Sequence, residues 1–244
     1  METQAIRILV HGASGRMGRT LLRLAAERTD LVVVAAVSSR GEPIAEAQGC
    51  PVLPASQLAD APDFDVAIDF SLPAAFDAVL ARCLAHDRAL VSGTTGLAPD
   101  QLAALDAAAG RIPVMWAANY SAGVAVLTEL VRQAAAALPR WDADVIEAHH
   151  VHKQDAPSGT ALHLGGAVTA GRGRAPQYAS VRAGDIVGEH TVQLTGPGER
   201  LELVHRATNR DIFARGALEA ALRLARLGPG RHDLGVVLLG GASR

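Results

Sequence analysis

The sequence predicts an α/β protein: a parallel sheet flanked by helices, with a smaller α+β segment inserted before the chain returns to the first layer. Three observations carry this. Short apolar runs of strand length alternate with helical stretches through the first half, the pattern of βαβ units. A glycine-rich turn follows directly on the first of those runs. Beyond Pro139 the pattern changes to alternating strands, and a helix from Asp211 resumes the earlier style.

Ile6-Arg-Ile-Leu-Val10 reads as a short buried strand, and Leu21, Leu22, Leu24 and Ala25 mark one side of the helix that follows. Between them lies Gly12-Ala-Ser-Gly-Arg-Met-Gly18. Strand, glycine turn and helix in this order form the phosphate-binding context of a dinucleotide fold, since glycines let the backbone approach a pyrophosphate that rests on the helix N-terminus. Gly12, Ala13, Ser14, Gly15, Arg16 and Met17 are therefore candidate cofactor contacts. The spacing is G-x-x-G-x-x-G rather than G-x-G-x-x-G, so the context carries more weight than the motif; the bland alternative is a tight turn with no ligand.

Leu31–Val37 is the second strand, and Ser38, Ser39 and Arg40 stand at its end. An NAD-specific site would place an acidic residue there to hold the ribose hydroxyls. Two hydroxyls and a guanidinium suit a 2′-phosphate instead, which predicts NADPH in preference to NADH, with Arg16 able to assist. The competing reading makes Arg40 a solvated loop charge. Phe64–Phe70, Ala89–Val91 and Ile112–Trp116 are the next strands, with a helix from Pro73 to about His86. The last two strands run into loops containing Gly93, Thr94 and Thr95, and Ala117, Ala118, Asn119 and Tyr120. With the two earlier loops these make four on one rim, where parallel sheets bind ligands.

Gly123–Leu138 reads as a helix stopped by Pro139. Then comes Glu147-Ala-His-His-Val-His-Lys-Gln-Asp-Ala-Pro-Ser-Gly-Thr-Ala161, the densest acid–base stretch in the chain. Ser158 or Thr160 is placed to cap the helix that begins there, and a helix N-terminus beside Lys153 suits a small carboxylate. Imidazoles titrate near neutral pH, so His149, His150 and His152 fit proton transfer to that guest. A zinc site is the first competitor, but no His-Glu-x-x-His order or partner cysteine accompanies the cluster, and Lys153 would oppose a cation; no metal ligand is assigned. Solvated histidines without a role are the second. Gly171–Pro176 reads as a mobile basic loop, and 181–187, Glu189–Leu194 and Arg200–His205 as half-buried antiparallel strands. The predicted division is 1–120 with 210–244 as a Rossmann-like dinucleotide-binding domain, and 121–209 as an inserted α+β domain.

A formal net charge of -2 gives no global attraction to nucleic acid or an anionic membrane, so any anion site is local. Cys50 and Cys83 lie far apart in no metal or redox spacing. With no signal-like segment and no apolar run of membrane length, a soluble cytoplasmic protein is expected.

The block from Glu147 to Ala161 closely resembles the signature of the 4-hydroxy-tetrahydrodipicolinate reductase (dihydrodipicolinate reductase) family of the diaminopimelate–lysine pathway. The glycine turn, Ile68-Asp-Phe70, Gly93-Thr-Thr-Gly96, Ala117–Ser121 and Val181–Thr191 resemble family blocks in family order. The resemblance implies hydride transfer from a nicotinamide to a cyclic imine dicarboxylate. It makes His149 the proton donor and Lys153 a second catalytic group that also engages substrate. It makes His150, Gly159 and Thr160 substrate contacts, and Ser158 joins them as the residue at the helix start. It further implies two domains that close on the substrate and a homotetramer paired through second-domain sheets. Some members carry an acidic residue where Ser38 stands and a basic one where Ser39 stands; here the nearest basic residue is Arg40. The segment 171–177 is also shorter than in longer members. A related amino-acid dehydrogenase and a non-catalytic nucleotide sensor are the rival readings.

Overall fold

The structure, a computed structural model, describes residues 4–240. The chain runs β1 (Ile6–His11), α1 (Arg16–Ala26), β2 (Leu31–Ser38), β3 (Val52–Pro54) and a short 3₁₀ helix over Ala55–Asp60. It continues through β4 (Val66–Asp69), α2 (Pro73–Ala85), β5 (Ala89–Ser92), α3 (Pro99–Ala108) and β6 (Pro113–Trp116). Next come α4 (Ala122–Ala137), β7 (Asp142–His149), α5 (Gly159–Arg172), β8 (Gln177–Arg182), β9 (Gly188–Gly196) and β10 (Glu199–Ala207). The last elements are α6 (Asp211–Leu224), β11 (Gly230–Arg231) and α7 (Leu234–Leu238). Two compact units result: residues through Tyr120 together with those from Phe213, and Ser121–Ile212.

In the first unit every strand pair is parallel, in the order β3-β2-β1-β4-β5-β6-β11. From β3 to β6 this is the order of a doubly wound nucleotide-binding sheet, with its switch point between β1 and β4. Ile8, Leu9, Val10 and all of β4 and β5 are buried, as strands covered on both faces must be. Phe76, Val79 and Leu80 of α2 and Leu105 of α3 belong to one core with Leu9, Ala67, Leu90 and Val114. Each of these leucine, valine and phenylalanine side chains contributes about 1.5–3 kcal/mol by leaving water. The edge strands β3 and β11 have no counterpart in the sequence reading, because three and two residues are too few to show a period.

The second unit is a four-stranded sheet, β10-β9-β7-β8, with α4 and α5 packed on it. β9 pairs antiparallel with both β7 and β10, but β8 pairs parallel with β7. This corrects the expectation of an antiparallel strand over 181–187. α5 carries the chain back along β7, so the next strand enters in the same direction, and a turn at Gly184-Asp185 follows Arg182. The basic segment after α5 is also tied down rather than loose: Arg172 and Arg174 donate to the Trp141 carbonyl at 2.5 and 2.9 Å.

One face of this sheet is divided along its strands. At one end Ala143, Val145, Val192 and Leu194 pack with Leu127 and Val131 of α4 and Leu164 and Val168 of α5. At the other end the register sets Glu147 beside both Ser180 and His190, His149 beside Arg182, and His190 beside His205. Side chains two apart share a face, so the apolar half and the polar half are one surface.

Among the described residues, no helix is long and apolar enough to cross a membrane.

Candidate active site

In the first unit the carboxyl ends of β1, β4 and β5 are tied to one buried carboxylate. Asp69 accepts from His11 Nδ1 at 2.8 Å, Ser92 Oγ at 2.9 Å, Thr94 Oγ1 at 2.7 Å and the Ser71 amide at 3.2 Å. Burial opposes its charge, but these hydrogen bonds, His11 foremost, hold its carboxyl below the usual range. The sequence reading gives no role to His11 or Asp69; the signal for them is a polar residue ending an otherwise apolar strand.

Above this hub the chain is shaped for close approach. Gly12 has φ +78°, and a Cβ there would lie 2.7 Å from the Phe70 carbonyl carbon, so only glycine fits. The amides of Gly12 and Ala13 donate to the Val37 carbonyl at 3.0 and 2.9 Å, fixing the loop. Gly15 is the N-cap of α1 with no side-chain cap, and the first turn has no acidic residue. Helix donors are thereby left for an anion, and the cradle fits the pyrophosphate of a dinucleotide. Ser14, Gly15 and Arg16 are exposed at the same helix start, with Met17 half-buried and Ala13 buried beneath.

The other predicted cofactor contacts divide into outward and inward groups. Ser39 and Arg40 are exposed, Arg40 only loosely paired with Glu42 at 3.6 Å, whereas the Ser38 hydroxyl accepts from the Gly41 amide at 3.0 Å. Gly93 and Thr95 lie at the end of β5, and the Thr94 side chain belongs to the Asp69 hub. Ala117 and Asn119 are half-buried and Ala118 is exposed. Tyr120 is buried, its hydroxyl donating to the Ser92 carbonyl at 2.9 Å, and burial pushes its pKa up. The Tyr120 side chain thus serves the core, leaving its main chain for any ligand.

In the second unit the acid–base stretch does not continue as a strand. β7 ends at His149, and residues 150–157 turn away before α5. Glu147 and His149 share the inner face, with His149 Nδ1 donating to Glu147 Oε2 at 2.5 Å. Arg182 grips the same carboxylate with both terminal nitrogens, at 2.9 Å to Oε2 and 2.7 Å to Oε1. It also donates to the Lys153 and Asp155 carbonyls at 3.3 and 2.6 Å, pinning the turn. Burial acts to raise the Glu147 pKa, but Arg182, then Ser180 and His149, bring it down to about 2.

Ser158 caps α5, its hydroxyl accepting from the Ala161 amide at 3.2 Å. The same hydroxyl lies 3.1 Å from His190 Nε2, and the Ser158 amide donates to Glu147 Oε1 at 3.3 Å. Ser158 is buried, so the outward part of this helix start is Gly159 and Thr160. His190 is buried beside His149, and burial followed by its His149 and His205 neighbours lowers its pKa to about 4, which keeps it neutral.

A cavity of about 340 Å³ adjoins the turn, lined by His150, His152, Gly184, Asp185, Val187 and Arg210. Arg210 lies 3.3 Å from His150 Nε2, and burial followed by the Arg210 charge lowers the His150 pKa. Lys153 Nζ pairs with the exposed Asp155 at 2.8 Å. Sequence reasoning missed Arg182, His190 and Arg210, which are distant in the chain; two-residue alternation on β8 and β9 was the available signal for the first two. A larger hollow of about 500 Å³ opens at the amino-terminal edge of the first sheet. Arg7, Arg88 and Arg111 there are already paired with Asp65, Asp63 and Asp87, so it offers no free charge to a ligand. No three His, Cys, Asp or Glu side chains among the described residues converge as a metal-binding group.

Comparison with known proteins gives this geometry a family. Residues 6–120 match the model of the dihydrodipicolinate reductase N-terminus, and residues 123–238 that of its C-terminus. A 4-hydroxy-tetrahydrodipicolinate reductase of Xanthomonas campestris pv. campestris is 62% identical over 232 residues, 95% of this chain and 97% of the relative. One of Stenotrophomonas maltophilia is 60% identical over 233 residues, with 95% and 97% covered. The fold matches a dipicolinate-bound dihydrodipicolinate reductase from Paenisporosarcina sp. TG-14 with a TM-score of 0.80, at 22% identity, over 94% of this chain and 97% of that one. With both of its units matched in order, the chain belongs to the dihydrodipicolinate reductase family and is an oxidoreductase.

Proposed function

We propose that this chain reduces 4-hydroxy-tetrahydrodipicolinate to tetrahydrodipicolinate and water in the diaminopimelate route to lysine, with NADPH preferred over NADH. The observation that carries the reading is the meeting, in one unit, of a carboxylate-held imidazole, a helix N-terminus and Lys153. The 62% identity to a reductase of that name, and the dipicolinate bound by the Paenisporosarcina homologue, support the same substrate class.

The first unit is the dinucleotide-binding domain, holding the pyrophosphate at Gly12–Met17 and the 2′-phosphate at Ser39 and Arg40. A bound reduced nicotinamide supplies the hydride. The second unit binds the substrate. One carboxylate lies on the Gly159 and Thr160 amides, where helix polarity favours an anion. Lys153 exchanges Asp155 for substrate, and His150 with Arg210 adds polar contacts. Loss of the 4-hydroxyl as water gives the conjugated ring; once hydride has reached it, the enamine carbon needs a proton, and His149 donates it from Nε2, the nitrogen not held by Glu147. The cationic groups also offset the charge that a dianionic substrate brings beside an anionic cofactor.

The uncovered face of the second sheet carries exposed Ile146, Val181 and Val204, which supports pairing of copies into a homotetramer. The expected compartment is the cytoplasm.

The test follows loss of reduced-nicotinamide absorbance, with substrate formed in place from pyruvate and aspartate semialdehyde by a synthase. Turnover should require the synthase, be inhibited competitively by dipicolinate and favour NADPH. In Arg40→Ser the NADPH preference should fall about tenfold, the loss of one charge-assisted contact. Folded protein without turnover on either cofactor would overturn the proposal, and equal use of both would remove the NADPH assignment.

A further inference from the structure

The proposed proton donor is not set in place by its own strand alone. Both oxygens of Glu147 are shared: Oε2 takes His149 Nδ1 and one Arg182 nitrogen, Oε1 takes the other Arg182 nitrogen and the Ser158 amide, and the Ser180 side chain adds a further bond. One buried carboxylate is therefore bonded both to the imidazole and to the N-cap of the helix whose first turn is the anion site. A Cβ on Gly188 would lie 3.0 Å from His149 Nε2, so glycine at this point of β9 leaves room for the ring in this orientation. Arg182 closes the arrangement by holding the turn that carries Lys153.

We propose that Glu147, clamped by Arg182, is a positioning residue: it fixes the ring orientation and proton-donating nitrogen of His149 and sets the distance from that nitrogen to the substrate carboxylate site at Gly159 and Thr160. This deepens the reading of His149 as proton donor and rests on it. An acceptor at Nδ1 keeps a proton there in both charge states of the ring. The exchangeable proton is then the one on Nε2. The carboxylate is committed to this task because Arg182 keeps it ionised and a bidentate fork leaves little rotation. The groups facing His149 are Glu147 on its own strand, Arg182 on β8 and His190 on β9, and the Lys153 charge in the turn acts on His190.

The decisive experiment compares Glu147→Gln, the double variant Glu147→Gln with Arg182→Met, and His149→Ala in the full-length enzyme. Glu147→Gln should lower kcat about 100-fold, within the range for general acid catalysis. The inhibition constant of dipicolinate and the Kd of NADPH should each move less than about fivefold in Glu147→Gln, since the donors that bind them remain. That variant also strands the Arg182 cation and is expected to lose stability, which the double variant removes along with the charge. In the double variant the melting temperature should return toward the parent while kcat stays low. Nitrogen-15 spectra of labelled histidine, assigned by the signal missing in His149→Ala, should show Nδ1–H for neutral His149 in the parent and a tautomer mixture in the double variant. If kcat recovers with stability in the double variant, or the tautomer is unchanged, the pair is purely structural and the proposal fails. Near-normal turnover in His149→Ala would instead refute the proton-donor reading beneath it.

Discussion

Asp69 in the first unit and Glu147 in the second are both buried carboxylates near the carboxyl end of a strand, and they are satisfied differently. Asp69 is met by one imidazole, two hydroxyls and an amide, all at the ends of neighbouring parallel strands. Glu147 is met by a guanidinium, an imidazole, an amide and the Ser180 side chain, and its guanidinium reaches out to an exposed turn. The first arrangement is a clasp that brings strand ends together beneath a backbone cradle. The second connects a buried charge to the turn and helix start that the proposed function places against substrate. The difference teaches that a buried acid alone does not point to proton transfer; what singles out Glu147 for the proposed chemistry is a partner that also reaches the surface.

The sharpest test of this contrast is kinetic. His149→Ala should lower turnover about 10²–10⁴-fold, the usual contribution of a general acid, with NADPH affinity nearly unchanged. Lys153→Ala should instead lower turnover and raise KM together by about tenfold, as loss of a charge-assisted hydrogen bond does. Steady-state kinetics with a separate cofactor titration would distinguish the two, and a lost cofactor affinity in His149→Ala would erase the division of labour.

The clasp is tested through stability. Asp69→Ala leaves His11, Ser92 and Thr94 without their acceptor in a dry site, at a cost of roughly 2–4 kcal/mol. Urea unfolding followed by circular dichroism, alongside NADPH titration, should show both falling. A parental unfolding midpoint would mean that the strand ends hold together without it.

Acid should expose the second unit through its own histidine. The folded pKa of His190, about 4, lies below its ordinary 6.5, so its contribution to stability is complete above 6.5 and lost as pH falls through about 4. By linkage this amounts to at most roughly 3 kcal/mol. Glu147 adds a later loss, as pH falls from its ordinary 4.5 toward about 2. Melting temperatures measured from pH 7 to 4 should decline less steeply in His190→Gln than in the parent. Parallel curves would show that His190 takes no part.

The nucleotide unit was legible in the sequence because its signals are local. A buried parallel strand is a continuous apolar run, and a turn such as Gly12–Gly18 needs glycine for steric reasons that no distant residue relieves. The proposed donor histidine, the adjoining lysine and the capped helix start likewise lie within one stretch, so a fifteen-residue block was enough to propose them. Tertiary structure decided the rest. Whether Ser38, Thr94 and Tyr120 turn inward depends on hydrogen bonds to residues the local pattern does not specify. The parallel entry of β8 followed from the α5 crossover, and with it came Arg182, thirty-five residues from Glu147 along the chain. Alternation told which residues share a face of one strand, but only the register between strands brought Glu147, His149, Arg182 and His190 together. That register is set by packing of the apolar half of the same sheet face against α4 and α5, a long-range effect that no window of sequence contains.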